Sequence, residues 1–499
     1  MNKFCKFLGF DESKKTTVRT EIMAGVVTFL AMAYILTLNP LLMLDLFNSS
    51  TYGYMYSSVF VATALGGFLG TLFMAIYAKL PLAQAPGLGL NSMVGGLLGG
   101  SLIGFSLSFG NSMLLVFISG LLFLGLSIFK IQGTSIRKII FDCIPESIRK
   151  AISVGIGLFI ALIGLANAGI VVVGDGTVID MVKLSTWDMA SVGPALVCLF
   201  GFLVIVVLSH FKIKGAVIIG IIAATLLGMI PSIGVTKWSG ETWAFWEHFA
   251  NFFSFDPSKG GAFFAVFTEG FSFADGVPVM SLIMTVITFC MIDMFDTMGT
   301  CVGCCSAAGL ITEDGTPVNY DKIMVCDSVA TCAGALFGTS TVTTFVESGA
   351  GISAGGKTGL TSLVTAGLFL FSIFLLPLFA SIPGAAASSA LIWVGCLMLK
   401  GVKDVKVDSV KEFVPTFLTI AMMPLCYSIT EGIGFGILSY VIIDIFGYLG
   451  DLISYKIKSK KANATEDGEE IKKPVWDLKV VTIVIALLFV VYFFVPTTF

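Results

Sequence analysis

Long apolar stretches, separated by short polar segments, recur along the whole of this 499-residue chain. About twenty consecutive apolar residues in a helix are enough to cross the hydrocarbon core of a bilayer. Stretches of this kind predict fourteen transmembrane spans, seven on either side of a long loop. The predicted spans are 22–40, 55–78, 88–104, 112–129, 151–171, 190–208, 215–231, 279–300, 322–338, 345–356, 359–380, 385–402, 413–428 and 432–449. The pattern therefore predicts an all-α polytopic membrane protein.

Because each half has an odd number of spans, the second half enters the membrane from the opposite side, and the halves form two inverted repeats. A further apolar run at 480–495 either spans the membrane or lies at its face, and the sequence is compatible with both. The predicted parts of the chain are a cytoplasmic N-terminal segment 1–21, a first repeat 22–231, an extracytoplasmic loop 232–278, a second repeat 279–450, a charged cytoplasmic linker 451–479 and a terminal apolar segment 480–499.

Two of the predicted spans, the third and the tenth, are short and begin with residues that interrupt a helix. Because β-branched residues favour extended backbone, we expect Thr339–Phe345 to form a short intramembrane strand that pairs with Leu82–Ala85. The pairing would satisfy backbone groups that cannot stay open in lipid. Half-helices would then start near Gly87 and Glu347. Paired breaks in two inverted repeats are typical of the substrate site of a secondary transporter.

The composition excludes several other classes of protein. Hydrophobic residues make up 56% of the chain and charged residues 12%, whereas about 25% of a soluble domain is charged. A soluble enzyme and a nucleic-acid-binding protein are therefore excluded. Lysine and arginine cluster in the loops after the fourth, sixth and twelfth spans. The positive-inside rule then predicts a multi-pass protein of the cell membrane with a cytoplasmic N-terminus.

Three carboxylates lie inside sequence that is otherwise apolar enough for the bilayer: Asp293, Asp296 and Glu347. Each costs about 2.5–3.5 kcal/mol at the centre of a membrane helix. Such residues normally mark a polar site between helices. Asp293 could tune the proton affinity of Asp296, because close carboxylates do not both ionise easily. It could equally form a structural link to a neighbouring span.

Two other patterns carry weaker chemistry. The run Gly351–Thr358 matches the phosphate-binding pattern G-x-x-x-x-G-K-T, but that mechanism needs a soluble α/β domain, and we expect Lys357 instead to cap the cytoplasmic end of the tenth span. The cysteines, mostly in apolar runs, are expected to pack rather than to bind metal. Both histidines lie in predicted loops, which leaves the carboxylates as protonation sites. The sequence predicts no cofactor, no metal site and no enzymatic activity.

Three motifs resemble those of the AzgA-like purine permeases, which belong to the nucleobase:cation symporters of the nucleobase–ascorbate transporter superfamily. They are Gln84–Asn91, Asp293–Thr300 and Thr341–Ser348, and the similarity runs over nearly the whole chain. The resemblance implies a core domain of spans one to four and eight to eleven, and a gate domain of spans five to seven and twelve to fourteen. It also implies a homodimer.

The resemblance further implies which residues hold the substrate. The acid of the eighth span falls on Asp296, with Thr300 one turn below, and the tenth-span position falls on Glu347. Some relatives have a histidine at the place of Thr300, so a mechanism that needs this histidine does not transfer. The third-span polar residue falls on Asn91, which suits either a purine or the facing carboxylate. Further candidates lie at the same two breaks: Phe345, as a ring that stacks on the base or packs in the core, and Ser348, Gly87 and Gly89.

The resulting prediction is a secondary active transporter that imports purine nucleobases (hypoxanthine, guanine or adenine). Coupling to protons rather than sodium is expected, with Asp296, Glu347 and Asp293 as proton-coupling candidates. The alternative is a transporter of another small substrate, uracil, xanthine or an inorganic anion, on the same fold. Paired carboxylates disfavour an anion site, and the chain offers no soluble nucleotide-binding domain for an ATP-driven pump and no nucleophile–base constellation for a membrane enzyme.

Overall fold

The computed structural model describes most of the chain. The described residues are 7–10, 16–46, 51–100, 102, 105–131, 134–174, 177–183, 185, 189–236, 243, 245–274, 277, 279–312, 316–405, 408–462, 476 and 478–494. Parts of the predicted N-terminal segment, the predicted loop and the predicted linker therefore lie outside the described residues.

Helices make up nearly all of the described structure. They are α1 (Val18–Met32), α2 (Ile35–Met43), α3 (Tyr56–Phe73), α4 (Leu88–Leu98), α5 (Phe109–Ile128), α6 (Ile136–Cys143), α7 (Glu146–Asn167), α8 (Met189–His210), α9 (Ala216–Gly228), α10 (Phe245–Phe252), α11 (Ala265–Thr268), α12 (Val279–Ala308), α13 (Tyr320–Phe337), α14 (Ser348–Ser353), α15 (Gly359–Ser372), α16 (Leu376–Ala380), α17 (Gly384–Met398), α18 (Val410–Leu425), α19 (Ile429–Ala462) and α20 (Val480–Phe494).

Six short strands form three antiparallel pairs among the described residues. The strands are β1 (Gln84–Pro86), β2 (Lys130–Ile131), β3 (Thr134–Ser135), β4 (Val171–Gly174), β5 (Thr177–Met181) and β6 (Val342–Thr344). The pairs β2–β3 and β4–β5 are local hairpins, whereas β1 and β6 come from different halves of the chain. The predicted pair of short strands is therefore present, with its first strand shifted towards the C-terminus.

Nine helical segments in the described part of the chain are long and apolar enough to cross a membrane. They are Val18–Met43, Gly53–Ala78, Phe109–Ile128, Glu146–Asn167, Ser191–His210, Val279–Ser306, Gly359–Ala380, Gly384–Lys403 and Ile429–Ile457. The remaining predicted spans coincide with the shorter helices α4, α9, α13, α14 and α18. The chain is therefore a multi-pass, mostly helical membrane protein, while the total of fourteen spans stays a prediction.

Two helices run further than the apolar pattern indicates. The eighth predicted span continues to Ala308 as α12, and the fourteenth continues to Ala462 as α19, into the predicted linker. Polar residues near the ends of a membrane helix can project beyond the bilayer, so hydropathy underestimates the length of such helices. The last apolar run forms α20, which is compatible with both of the predicted placements.

The described residues divide into two compact units. The larger contains the described residues within Met1–Arg137 and Ile160–Leu397, and the smaller those within Lys138–Phe159 and Met398–Pro496. Within the smaller unit, α19 packs against α18 and α20. The β1–β6 pair, both half-helices and all spans of the predicted core lie in the larger unit.

Within the larger unit, the two parts of the interrupted first span each pack against one of the half-helices. The helix is interrupted at Ala33 and Tyr34, between α1 and α2, and α14 packs against α1 whereas α4 packs against α2. Helix α13 ends at Gly338, which adopts a left-handed conformation (φ 88°) and donates its N–H to the carbonyl of Ala335. Glycine adopts this conformation without a steric penalty. After this turn the chain is extended and forms β6.

Candidate functional site

The β1–β6 pair forms the centre of the site. Gln84 lies opposite Thr344, and Pro86 lies opposite Val342. All six residues of the two strands are buried, so their backbone groups need partners inside the protein. The hydrogen bonds of the pair are extended at one end by Gly87 N–H to Thr341 O (3.0 Å). The pair thus holds the starts of both half-helices at one place.

The half-helices begin where the sequence predicts. Gly87 is the N-terminal cap of α4, and Glu347 is the N-terminal cap of α14. Gly87 and Gly89 are both buried. A Cβ atom at Gly87 would lie 3.3 Å from the side chain of Thr343, so the glycine allows the two strands to approach closely.

Glu347 and Asp296 form the accessible acidic part of the site. Both side chains are partly exposed, and so is Thr300, which follows Asp296 by four residues on α12. Asp296 lies close enough to Glu347 for their charges to interact. The structure therefore brings together the two carboxylates that the sequence places 51 positions apart.

Tyr34 fixes the position of Glu347. The tyrosine lies at the interruption of the first span and is buried, and its hydroxyl donates a hydrogen bond of 2.5 Å to Glu347 Oε1. A bond to a carboxylate is stronger than a neutral one. Tyr34 therefore orients one oxygen of the carboxyl group.

Phe345 and Ser348 flank Glu347 and are buried. The N–H of Phe345 donates to Ala83 O (3.0 Å), and Ser348 Oγ accepts a hydrogen bond from the N–H of Ala83 (2.9 Å). Both residues thus connect the start of α14 to the chain that leads into β1. In this arrangement they hold the break in place.

Asn91 is fully buried one turn into α4. Its Oδ1 accepts a hydrogen bond from the hydroxyl of Ser340, and its Nδ2 donates to Pro86 O at 3.5 Å. Both ends of the amide are therefore used inside the protein. The contacts link the half-helix of the first repeat to the segment that precedes β6.

A fourth carboxylate, Asp327 on α13, lies directly behind the strands. One of its oxygens accepts hydrogen bonds from Gln84 Nε2 (2.7 Å) and Thr344 Oγ1 (3.2 Å), and the other accepts from Thr297 Oγ1 (2.6 Å). Gln84 and Thr344 are the facing residues at one end of the β1–β6 pair. Asp327 therefore joins both strands and α12 to α13.

Asp293 is buried one turn before Asp296 on α12. Its Oδ2 accepts a hydrogen bond from Thr331 Oγ1 on α13 (2.8 Å). Asp327 and Asp296 are its charged neighbours. The link to a neighbouring span, one of the two roles considered for Asp293, is thus present in the structure.

The run Gly351–Thr358, which matches a phosphate-binding loop, already binds a carboxylate of the protein itself. Glu21, fully buried on α1, accepts hydrogen bonds from the N–H groups of Lys357 (3.0 Å) and Thr358 (3.2 Å) and from Thr361 Oγ1 (2.5 Å). An anion at the start of a helix is stabilised by its free N–H groups. Here Glu21 supplies this anion for α15, so the loop serves to join α1 to α15.

The sequence patterns predict no role for four of these residues: Tyr34, Gln84, Asp327 and Glu21. Asp327 could have been found, because it is a carboxylate within a predicted span, by the same argument that identifies Asp293. The other three act through contacts with residues far away in the chain, which no local pattern reveals. Among the described residues, no group of three or more His, Cys, Asp or Glu side chains could hold a metal ion.

Comparisons with known proteins place this geometry in a family. The Xan_ur_permease family model, described as a permease family, matches residues 19–435. The chain is 35% identical to the adenine permease AdeQ of Escherichia coli over 430 residues, which is 86% of this chain and 88% of the relative. It is also 35% identical to the guanine/hypoxanthine permease PbuO of Bacillus subtilis over 434 residues, 87% of this chain and 93% of the relative.

Solved structures show the fold. The transmembrane domain of the cyanobacterial bicarbonate transporter BicA matches with a TM-score of 0.57 at 16% identity, over 85% of this chain and 97% of that domain. The murine Solute Carrier 26 family member A9 anion transporter, in its inward-facing state, matches with a TM-score of 0.57 at 11% identity, over 87% of this chain and 69% of that protein. The fold is therefore the core-and-gate fold of these transporters. With the matches to the family model and to the two permeases, it follows that this chain belongs to the permease family and is a membrane transporter, not an enzyme.

Proposed function

We propose that this protein imports purine nucleobases across the cytoplasmic membrane by proton symport, with its N-terminus in the cytoplasm. The observation that carries the proposal is the pair of partly exposed carboxylates, Asp296 and Glu347, beside the strand pair that joins the two repeats. Nucleobases carry N–H groups along their edges, and charge-assisted hydrogen bonds to carboxylates are about twice as strong as neutral ones. The names of the adenine and guanine/hypoxanthine relatives support the same substrate class.

In this proposal the purine contacts Asp296, Thr300 and Glu347, and Phe345 stacks on the base. The buried residues Asn91, Ser348, Gly87 and Gly89 shape the two breaks that hold these groups. The coupled proton resides on Asp296, Glu347 or Asp293, and neutralisation of the site lets the core move past the gate. A homodimer is the proposed assembly.

One proton is sufficient as the driving ion. A single charge that crosses 100 mV releases about 2.3 kcal/mol, and about 1.4 kcal/mol corresponds to a tenfold ratio. A membrane potential of this size therefore supports a gradient of roughly fiftyfold, which is enough to scavenge a nucleobase from dilute solution.

An inorganic-anion substrate is the alternative on the same fold. The names of the structural relatives, a bicarbonate transporter and an anion transporter, raise this alternative. An anion would meet two carboxylates at the proposed contact site, and like charges repel. The acidic site therefore favours the nucleobase.

The test is uptake of radiolabelled hypoxanthine by cells or proteoliposomes, with adenine, guanine, uracil and bicarbonate as competitors at two pH values. We expect competition by purines only, faster uptake at the lower external pH, and loss of accumulation in Asp296→Asn. Glu269→Gln, a substitution in the loop before α12, is the control and is expected to transport normally. Accumulation at the wild-type rate in Asp296→Asn would show that this carboxylate has no role in transport.

A further inference from the structure

Two of the carboxyl groups meet away from the partly exposed part of the site. Asp293 on α12 and Asp327 on α13 are 1% and 0% exposed. Asp293 accepts a hydrogen bond from Thr331, one turn after Asp327, and Asp327 accepts one from Thr297, one turn after Asp293, so the two acids lie side by side on neighbouring helices. The two acids differ from Asp296 and Glu347, which are partly exposed. The molecule therefore contains an inner acid pair, Asp293 and Asp327, and an outer acid pair, Asp296 and Glu347.

The hydrogen bonds of the inner acid pair are unequal. Asp327 accepts three hydrogen bonds, from Gln84, Thr344 and Thr297, which suits an ionised carboxylate because that group only accepts. Asp293 accepts one, from Thr331 to Oδ2. Its Oδ1 is buried and has no geometrically acceptable hydrogen bond within the described part of the protein. A carboxylic acid that carries its proton on Oδ1 fits this arrangement.

No positive charge compensates the inner acid pair among the described residues of the elements around it. The titratable groups that face Asp293 are Asp327, Asp296 and the thiols of Cys290 and Cys332. No lysine, arginine or histidine occurs in the helices α4, α5, α12 and α14 or in the strand β6. Lys322 in the first turn of α13 lies over the ring of Tyr77 (5.8 Å). Two buried carboxylates close to each other do not both ionise easily, so a single proton on the pair is favoured in this conformation.

We propose that the inner acid pair is a proton-binding site, separate from the carboxylates that contact the purine, and that its proton is the coupled ion. This inference rests on the proposed function as a purine symporter. A proton from one side of the membrane binds Asp293 Oδ1 and is hydrogen-bonded to Asp327. After the core has moved, the same O–H bond breaks and the proton leaves to the other side, and no other bond changes.

The position of Asp327 explains how this proton could act on the substrate site. Its bonds to Gln84 and Thr344 fix the facing residues of β1 and β6, which lead into the two half-helices. A change in the charge of the inner acid pair therefore changes the strength of the hydrogen bonds that hold this strand pair.

The decisive variant is Asp293→Asn in the full-length protein, reconstituted in proteoliposomes. Asparagine keeps the size of the protonated acid but cannot release a proton. We expect hypoxanthine binding and hypoxanthine counterflow within about twofold of the wild type, because the outer acid pair is untouched. Accumulation driven by an inward proton gradient is expected to fall to an inside-to-outside ratio of one.

The matched control is Asp256→Asn, which removes one negative charge in the loop that precedes α12. A hydrogen bond from the side chain of Ser258 lowers the pKa of Asp256 below its usual value. Asp256 is therefore ionised throughout the pH range of the assay. This control is expected to accumulate hypoxanthine as the wild type does.

Three results would overturn the inference. The first is proton-driven accumulation by Asp293→Asn at the wild-type ratio. The second is accumulation by the wild type that follows a sodium gradient at constant pH. The third does not depend on a variant: the infrared spectrum of the wild type should contain the band of a buried protonated carboxylic acid that changes on hypoxanthine binding, and its absence contradicts a resident proton. If the wild type binds no purine at all, the proposed function is wrong as well, and this distinguishes the two failures.

Discussion

The two half-helices are alike in their packing and different in their chemistry. Each presses a glycine against the first span: Gly95 of α4 against the backbone carbonyl of Leu42, and Gly351 of α14 against the carbonyl of Ala24 and the hydroxyl of Thr28. A side chain at either glycine would collide with that span. The packing is thus repeated in both halves of the chain.

The polar groups are not repeated in the same way. The first half-helix begins at an uncharged glycine and carries Asn91, whose amide is used inside the protein. The second begins at Glu347, which is partly exposed beside Asp296. All four carboxylates of the site, Asp293, Asp296, Asp327 and Glu347, come from the second repeat. The comparison teaches that the same packing can occur in both halves of a chain while the carboxylates occur in only one of them.

The largest expected effect is that of Glu347→Gln. The substitution removes a charge and keeps the shape, and a hydrogen bond to a charged group contributes about 1.5–3 kcal/mol. Hypoxanthine binding should weaken by roughly 10- to 150-fold, since about 1.4 kcal/mol is tenfold. Direct binding of radiolabelled hypoxanthine to purified protein measures it. Unchanged affinity would mean that the second half-helix does not carry the binding chemistry.

The packing of the two half-helices can be tested with one substitution in each and an internal control. Gly351→Ala and Gly95→Ala should both lower the free energy of unfolding, by about 2–3 kcal/mol, because overpacked side chains force shifts of this cost. Gly349→Ala lies two positions from Gly351, where an added Cβ meets nothing within 4 Å, and should be neutral. Thermal unfolding in detergent measures all three. A strong effect at only one of the two contact glycines would break the symmetry of the packing.

Asn91→Ala tests whether the polar residue of the first half-helix contacts the substrate or only stabilises the structure. It leaves the hydroxyl of Ser340 without its acceptor in a buried place, at an expected cost of about 1–2 kcal/mol in stability. Hypoxanthine affinity should change less than threefold if Asn91 acts through the scaffold. The unfolding temperature and the dissociation constant are measured on the same preparation. A loss of affinity as large as that of Glu347→Gln would instead assign substrate contact to the first half-helix.

The smallest effect is expected for Glu21→Gln, which changes the contact between α1 in the first half of the chain and the start of α15 in the second half. Glutamine keeps one acceptor for the N–H groups at the start of α15 and loses the negative charge. The loss at a helix N-terminus is about 1 kcal/mol of stability. Purine affinity should not change, and neither variant nor wild type should bind ATP in a thermal-shift assay. ATP binding by the variant would revive the nucleotide-loop interpretation of Gly351–Thr358.

The fold was predictable from the sequence to the extent that it depends on hydropathy and on local breaks. The apolar pattern predicts where the helices lie, and the β-branched segment near Val342–Thr344 together with the proline-rich segment near Gln84–Pro86 predicts the strand pair. These features arise from backbone chemistry within a few residues. The ends of α12 and α19 were not predictable, because polar residues continue a helix outside the bilayer as well as they end it.

The candidate site was predictable for its charges and for the two breaks beside them, but not for the contacts that hold them. Carboxylates such as Asp296 and Glu347 stand out in an apolar background, so the sequence reveals them. Tyr34 does not stand out, because a tyrosine in a membrane span is common, and its bond to Glu347 crosses 313 positions of sequence. Asp327 shows the reverse case, a residue with a clear signal whose partners, Gln84 and Thr344, only the folded chain reveals.

The short length of β1 and β6 also constrains how this region can evolve. With three residues in each strand and side chains that alternate between two faces, removal of a single residue from β6 would turn the side chains that follow the deletion to the other face of the strand. Glu347 would then rotate away from Asp296. Diversification of this segment must proceed by exchange of one amino acid for another, at constant length, whereas the loops between distant helices are free to lengthen.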